Sequence, residues 1–200
     1  MLIRVLCFLC LIVLIGCEMP PKKEPNQIQS SQVLKQIVEK KIRQLQYPFF
    51  IQAKQEQFKG QVNGDDWFVE KDKKIRLEKK GEQIQFRKDG DKEVFMVHQI
   101  GLISPKDHLQ LLNEAGKPKK EKRNISWERK RAEQLDIHID KQKLSERIKK
   151  SFLSDQPLVL SDQVDVIYQL IYLPDTYELK KMTILIQAQK HLLQEVRYTF

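Results

Sequence analysis

In KIRLEKKGEQIQFRK, residues 74–88, apolar and polar side chains alternate on both sides of a turn. Ile75 and Leu77 alternate with Arg76 and Glu78, and Ile84 and Phe86 alternate with Gln85 and Arg87. A period of two places one face in water and the other against a core, as in a strand. Gly81 supplies the turn between the two halves. Such short turns join only antiparallel neighbours. The pattern continues outward on both sides. Asn63-Gly64 and Asp89-Gly90 are further turn signals, and they bound the runs 50–62, 67–71 and 93–99. An antiparallel meander is therefore predicted from Phe49 onward.

Helices flank and interrupt this meander. After Ser30 and Ser31, Leu34, Ile37, Val38, Ile42 and Leu45 recur at helical spacing, which predicts an amphipathic helix to about Gln46. Pro48 stops it. Ser104-Pro105-Lys106-Asp107 has the residue types of a helix start: a cap, a proline at the first position and an acid at the positive end. Leu109, Leu111 and Leu112 give that helix an apolar side, and Gly116 ends it. Leu135, Ile137 and Ile139 alternate with Asp136, His138 and Asp140 as in a strand, and Leu144, Ile148 and Phe152 predict a short third helix. Three long strand runs close the chain, at 164–173, 177–187 and 191–200. Val164, Val166, Tyr168, Leu170 and Tyr172 share one face of the first run, and Ile167 and Ile171 make its other face partly apolar. Eight to nine strands and three short helices give an α+β chain. Its fold is a single strongly curved antiparallel sheet covered by helices.

The first residues have a different composition. Arg4 is the only charge before Cys17, and Val5–Ile15 is an unbroken apolar run. It is shorter than the roughly 20 residues needed to span a bilayer, and a charged start with a short apolar core describes a signal peptide. Leu14-Ile15-Gly16-Cys17 resembles the bacterial lipobox. The resemblance implies diacylglycerol on Cys17 and cleavage before it. The chain then divides into a signal peptide at 1–16, a lipidated cysteine with a proline-containing tether at 17–29, and one domain at 30–200. Cys7 and Cys10 leave with the signal, so no disulfide or cysteine-ligated metal holds the mature domain together.

The formal net charge is +9, and residues 117–131, KPKKEKRNISWERKR, hold a net +6 of it. The cations are Lys117, Lys119, Lys120, Lys122, Arg123, Arg129, Lys130 and Arg131. They read either as a solvated loop or as a contact for an anionic surface, lipid headgroup or wall polymer. Nucleic acid is not expected. Lysine dominates arginine, and no row of aromatic residues offers a stacking platform. Trp127 within the stretch reads as the cover of a core edge or as an interfacial anchor, and Trp67 as a core residue.

No sequence pattern of a nucleophile elbow, a phosphate loop or a zinc-protease helix occurs. His98, His108, His138 and His191 are scattered. Asp136, His138 and Asp140 share a strand face, where two carboxylates and an imidazole could hold a divalent ion, but they read as that strand's wet side. No catalytic residue, cofactor or metal site is expected, and the chain is not read as an enzyme.

The order of elements resembles the LolA/LppX-type half-barrel superfamily of exported proteins. The resemblance rests on Phe49-Phe50, on Phe58-Lys59-Gly60, on the Ser104–Leu112 helix and on the Val164–Phe200 hairpins. It implies a non-enzymatic lipoprotein, anchored on the extracytoplasmic face of the cell membrane, that binds a lipid or other amphiphile between curved sheet and helices. The walls of that groove would come from Leu34, Ile37, Val38 and Ile42 on the first helix. Ile75, Leu77, Phe86, Phe95, Val166, Tyr168 and Ile184 would supply the sheet side. The alternative is a closed core and a protein-interaction module assisting an envelope partner, as in sporulation or spore germination. Replacing Cys17 by Ala should leave an unlipidated precursor. Intact mass and membrane fractionation check this, and unchanged mass and attachment would contradict the anchor.

Overall fold

The computed structural model describes residues 25–96, 103–152 and 163–200. In chain order the elements are α1 (Pro25–Ile42), β1 (Gln46–Ala53), β2 (Glu56–Asn63), β3 (Asp66–Lys71), β4 (Ile75–Lys80), β5 (Gln83–Lys88) and β6 (Asp91–Met96). Then follow α2 (Pro105–Ala115), β7 (Gly116–Trp127), β8 (Lys130–Ile139), α3 (Lys141–Phe152), β9 (Val164–Leu173), β10 (Glu178–Ala188) and β11 (His191–Thr199). All strands join one 11-stranded antiparallel sheet in the order β6-β5-β4-β3-β2-β1-β11-β10-β9-β8-β7. The last strand returns to the first, with Phe50 opposite Thr199 and Ala53 opposite Val196. The sheet stays open, and its free edges are β6 and β7.

Those two edges are consecutive in sequence, so the chain from Met96 to Gly116 joins opposite edges of the sheet. On the way, the Ile103 carbonyl accepts the Tyr198 hydroxyl of β11, and the chain from Met96 to Ile103 spans at most about 25 Å when fully extended. In a flat sheet β6 and β11 would lie about 29 Å apart, at roughly 4.8 Å per strand spacing. That stretch falls short, so the sheet must curl until its edges approach. The α+β half-barrel expected from the sequence is the observed fold.

The structure has more strands than the periodicity predicted. The run 50–62 is two strands, broken at Lys54 with φ 54°. The basic stretch is not a loop but the edge strand β7 and its turn, where Glu128 and Arg129 have φ 48° and 65°. Both turns use non-glycine residues in the left-handed region, so neither carries the glycine signal that marks Gly64, Gly81 and Gly90. The first helix starts at Pro25, before the serines expected to cap it. Ser30 lies inside the helix, buried, and its hydroxyl donates to the Lys120 carbonyl at 3.3 Å. The helix ends at Ile42, because Gln46 already pairs with Asn63.

The second helix follows its sequence signals. Ser104 caps it by accepting the Asp107 N–H at 3.2 Å, and Pro105 takes the first turn. Gly116 terminates it in extended backbone, and a Cβ there would stand 2.4 Å from the Leu112 carbonyl oxygen. Only glycine lets the chain turn from α2 straight into β7.

The core lies between the concave face and the helices. Tyr47, Phe49, Ile51, Val62, Trp67, Val69, Leu135, Ile137, Leu170 and Met182 are buried from the sheet side, and Ile37, Leu109 and Leu112 from the helices. Gly60 sits opposite Phe49, whose ring covers it. A Cβ on Gly60 would lie 2.3 Å from the ring. Gly60→Ala should therefore cost about 2–3 kcal/mol by overpacking. Adding Phe49→Leu should recover part of the loss in a double-mutant cycle read by urea unfolding. Independent, additive losses would contradict the contact.

Candidate functional site

The helix α2 carries a buried histidine among its leucines. His108 Nδ1 lies 2.8 Å from the Tyr168 hydroxyl on β9, and Nε2 lies 3.1 Å from the Tyr198 hydroxyl on β11. Tyr198 donates its proton to the Ile103 carbonyl at 2.9 Å. Its oxygen must then accept from Nε2–H, so Nδ1 is the acceptor for Tyr168. Every member of the chain is satisfied with a neutral imidazole. Burial pushes the His108 pKa down to about 3, and it raises both phenols above their ordinary range. The network fastens the crossing helix to two strands.

The strand register places all seven expected groove residues of the sheet on this same concave face. Phe95 stands opposite Ile84, Phe86 opposite Leu77, and Leu77 opposite Val69. Ile184 stands opposite both Tyr168 and Val196. They do not share one environment. Leu34, Ile37, Val38, Tyr168 and Ile184 are buried in the core beneath the helices. Ile42, Leu77, Phe95 and Val166 are partly buried against it, and Ile75 and Phe86 are half-buried. The helices α1 and α2 pack over β7, β8 and β10. The apolar side chains of β4–β6 lie toward the opposite end of the sheet.

A second feature closes the seam between α1 and the chain end. Lys41 is buried, with Nζ 3.9 Å from the Tyr47 ring centroid and 4.3 Å from that of Phe200. It donates to Gln44 Oε1 at 3.0 Å. Loss of water lowers its pKa to about 8, although Glu178 pulls the other way. The Tyr47 hydroxyl beside it is buried and has no hydrogen-bond partner among the described residues.

The basic stretch is partly neutralised by its own hairpin partner. Lys117 pairs with Asp140 at 2.7 Å and Arg123 with Asp136 at 2.8 Å. Lys122 and Arg131 both approach Glu133, which also accepts the Tyr172 hydroxyl at 2.5 Å. Lys120 is engaged as well. Among the described residues, Lys119, Arg129 and Lys130 make no ion pair. The two aspartates weighed as metal ligands are thus held by cations, and Asp140 also accepts the Gln142 and Lys143 amides that open α3. Among the described residues no three His, Cys, Asp or Glu side chains converge. Trp67 is buried in the core, and Trp127 is partly exposed beside the β7–β8 turn. Cys17, the signal segment and His98 lie outside the described residues.

No family model and no curated protein sequence matches the chain. Solved structures do. The lipoprotein LppX of Mycobacterium tuberculosis superposes with a TM-score of 0.56 at 7% identity, over 86% of this chain and 93% of that one. LprF of Mycobacterium bovis gives 0.53 at 10% identity, over 86% and 91%. A LolA superfamily protein of Nitrosomonas europaea gives 0.31 at 12% identity, over 86% and 91%. The first two establish the fold as LppX-like.

His108 and Lys41 were not singled out from sequence. A histidine next to Leu109 looks like any polar helix residue, and its partners Tyr168 and Tyr198 are 60 and 90 residues away. The neutral imidazole has a consequence for stability. Below about pH 6.5 the unfolded chain takes up a proton that the native imidazole refuses. The contribution is fully present above that pH and is lost as pH falls toward 3. Between pH 7.5 and pH 5 this group should remove about 2 kcal/mol of unfolding free energy. His108→Phe should flatten that part of the pH dependence while costing about 2–4 kcal/mol at pH 7.5, because the buried Tyr168 hydroxyl loses its acceptor and Tyr198 the N–H it accepts. An unchanged pH slope in the variant would contradict the network.

Proposed function

We propose that the chain is a non-enzymatic envelope lipoprotein, anchored through Cys17 on the extracytoplasmic face of the cell membrane, that binds a lipid or other amphiphile on its concave face. One observation carries this reading. Ile75, Leu77, Phe86 and Phe95 form a continuous apolar set on the core face and retain partial exposure. Apolar area left accessible beside a core is what an acyl chain would cover, at about 25 cal/mol per Å². The fully buried members Leu34, Ile37, Val38, Tyr168 and Ile184 form the floor and end wall of that groove, and Ile42 and Val166 its margin. The LppX-like fold supports the assignment, since that neighbour is itself a lipoprotein. Lys119, Arg129 and Lys130, together with Trp127, would steady the domain on an anionic surface; the remaining basic residues of the stretch add weaker, already paired charge.

A second reading is favoured by how completely the helices fill the β7–β10 half. There the concave face is closed, and the domain would serve an envelope protein partner. The two readings separate by experiment. Full-length protein extracted from membranes should carry lipid in native mass spectrometry and bind a fluorescent fatty-acid probe. Leu77→Asp with Phe86→Ser should weaken the probe at least tenfold without unfolding the domain. Absence of both co-extracted lipid and probe binding would overturn the lipid reading and leave the partner reading.

A further inference from the structure

The seam between β1 and β11 is incomplete. The strand β11 pairs with β10 along its whole length, from His191 to Thr199. It pairs with β1 only from Val196 onward, because β1 turns back at Ala53. Residues 191–195 therefore present one side of their backbone without a neighbouring strand, over about 17 Å. No hydrogen bond to that side is found among the described residues.

Two other interruptions of the sheet are blunted. At the opposite end of the same seam β1 overhangs β11, and there Pro48 lacks an N–H and Lys41 with Phe200 covers Tyr47. The edge strand β7 carries Pro118 and a run of lysines, and α1 lies against it. The 191–195 segment has neither proline nor lysine, and it exposes leucines instead. Leu192 is 54% exposed and Leu193 60%. Both are available because a bulge falls at Leu193: Gln187 faces Leu192 while Ile186 faces Gln194. Gln52, Lys54, Leu192, Leu193, Glu195 and Arg197 line the resulting notch of about 200 Å³.

We propose that this gap is a docking site for an extended peptide segment of a partner protein, which would add a strand antiparallel to β11, in line with the end of β1. The notch selects the peptide's character. Lys54 bounds it at one end and Lys190 at the other, both exposed. Arg197 is already satisfied by Glu195 at 2.6 Å. The matching segment has apolar residues opposite Leu192 and Leu193 and an acidic residue toward each end. Main-chain bonds would supply affinity, and the leucines and lysines specificity. The site is separate from the concave groove and does not depend on a lipid ligand.

The test uses the full-length protein and a short fluorescent peptide of alternating valine and threonine with glutamate at both ends. Binding should protect from hydrogen exchange those amides of residues 191–195 that face the gap rather than β10. Methylating alternate peptide nitrogens on the side that meets β11 should abolish it. Lys54→Asp with Lys190→Asp keeps residues tolerant of the positive φ at both positions. It should weaken the peptide at least tenfold and improve binding of the lysine-ended counterpart. Binding indifferent to N-methylation, or protection appearing elsewhere, would overturn the proposal. So would a stable dimer in sedimentation whose gap-facing amides in 191–195 are protected without peptide, which assigns the gap to a second copy. The methylated peptide needs no variant to fold, so the outcome stands if the double substitution fails.

Discussion

The chain between β6 and the point where Ile103 is tied to β11 is shorter than a flat sheet would require. This constraint follows from residue count, strand spacing and one hydrogen bond. Adjacent segments of chain, β6 and β7, occupy opposite edges of an 11-stranded sheet. The sheet curls, and α2 becomes a strap across its hollow side. Everything beneath the strap is core, and whatever the strap does not cover keeps some contact with solvent. The division of the concave face into a closed half and a partly open quarter is thus a product of topology. It explains why residues of one face, matched in register and apolar character, range from fully buried Tyr168 to half-buried Phe86.

A strap needs a fastener, and leucines alone would let α2 slide. The His108 network adds direction to non-directional burial. One imidazole, with its tautomer dictated by the Tyr198 hydroxyl, fixes α2 against β9 and β11 at once. The same imidazole is kept neutral by burial, so the fold has a buried group that opposes acidification. At the far seam, Lys41 between two aromatic rings ties α1 to the last residue of the chain. Both devices sit where helices meet the returning strand β11, which joins the two meanders into one sheet.

Much of this was legible in the sequence. Alternation at Ile75–Leu77 and Ile84–Phe86, with Gly81 between, gave the two strands and the side that faces the core. The Ser104-Pro105 start gave α2 to the residue. What stayed hidden has physical reasons. The turns at Lys54 and at Glu128-Arg129 use left-handed backbone without glycine, so two strand boundaries left no mark. The basic stretch looked like a loop because an edge strand with a wet outer side carries the same composition as one. Its net charge also misled locally. Over residues 116–140 eight cations meet five acids, leaving +3, since β8 places Glu133 and Asp136 across from the lysines and arginines. Fasteners such as His108 and the unfilled gap beside Leu193 depend on residues far apart in sequence, and no local pattern encodes them.

A strap that holds the sheet curled fixes the distance between its two edges. Spin labels at Lys92 on β6 and Lys119 on β7, in a chain whose three native cysteines are replaced, report it by pulsed electron resonance. A single narrow distribution well below the roughly 48 Å width of a flat sheet is expected. A population at or beyond that width would mean that the sheet is not curled.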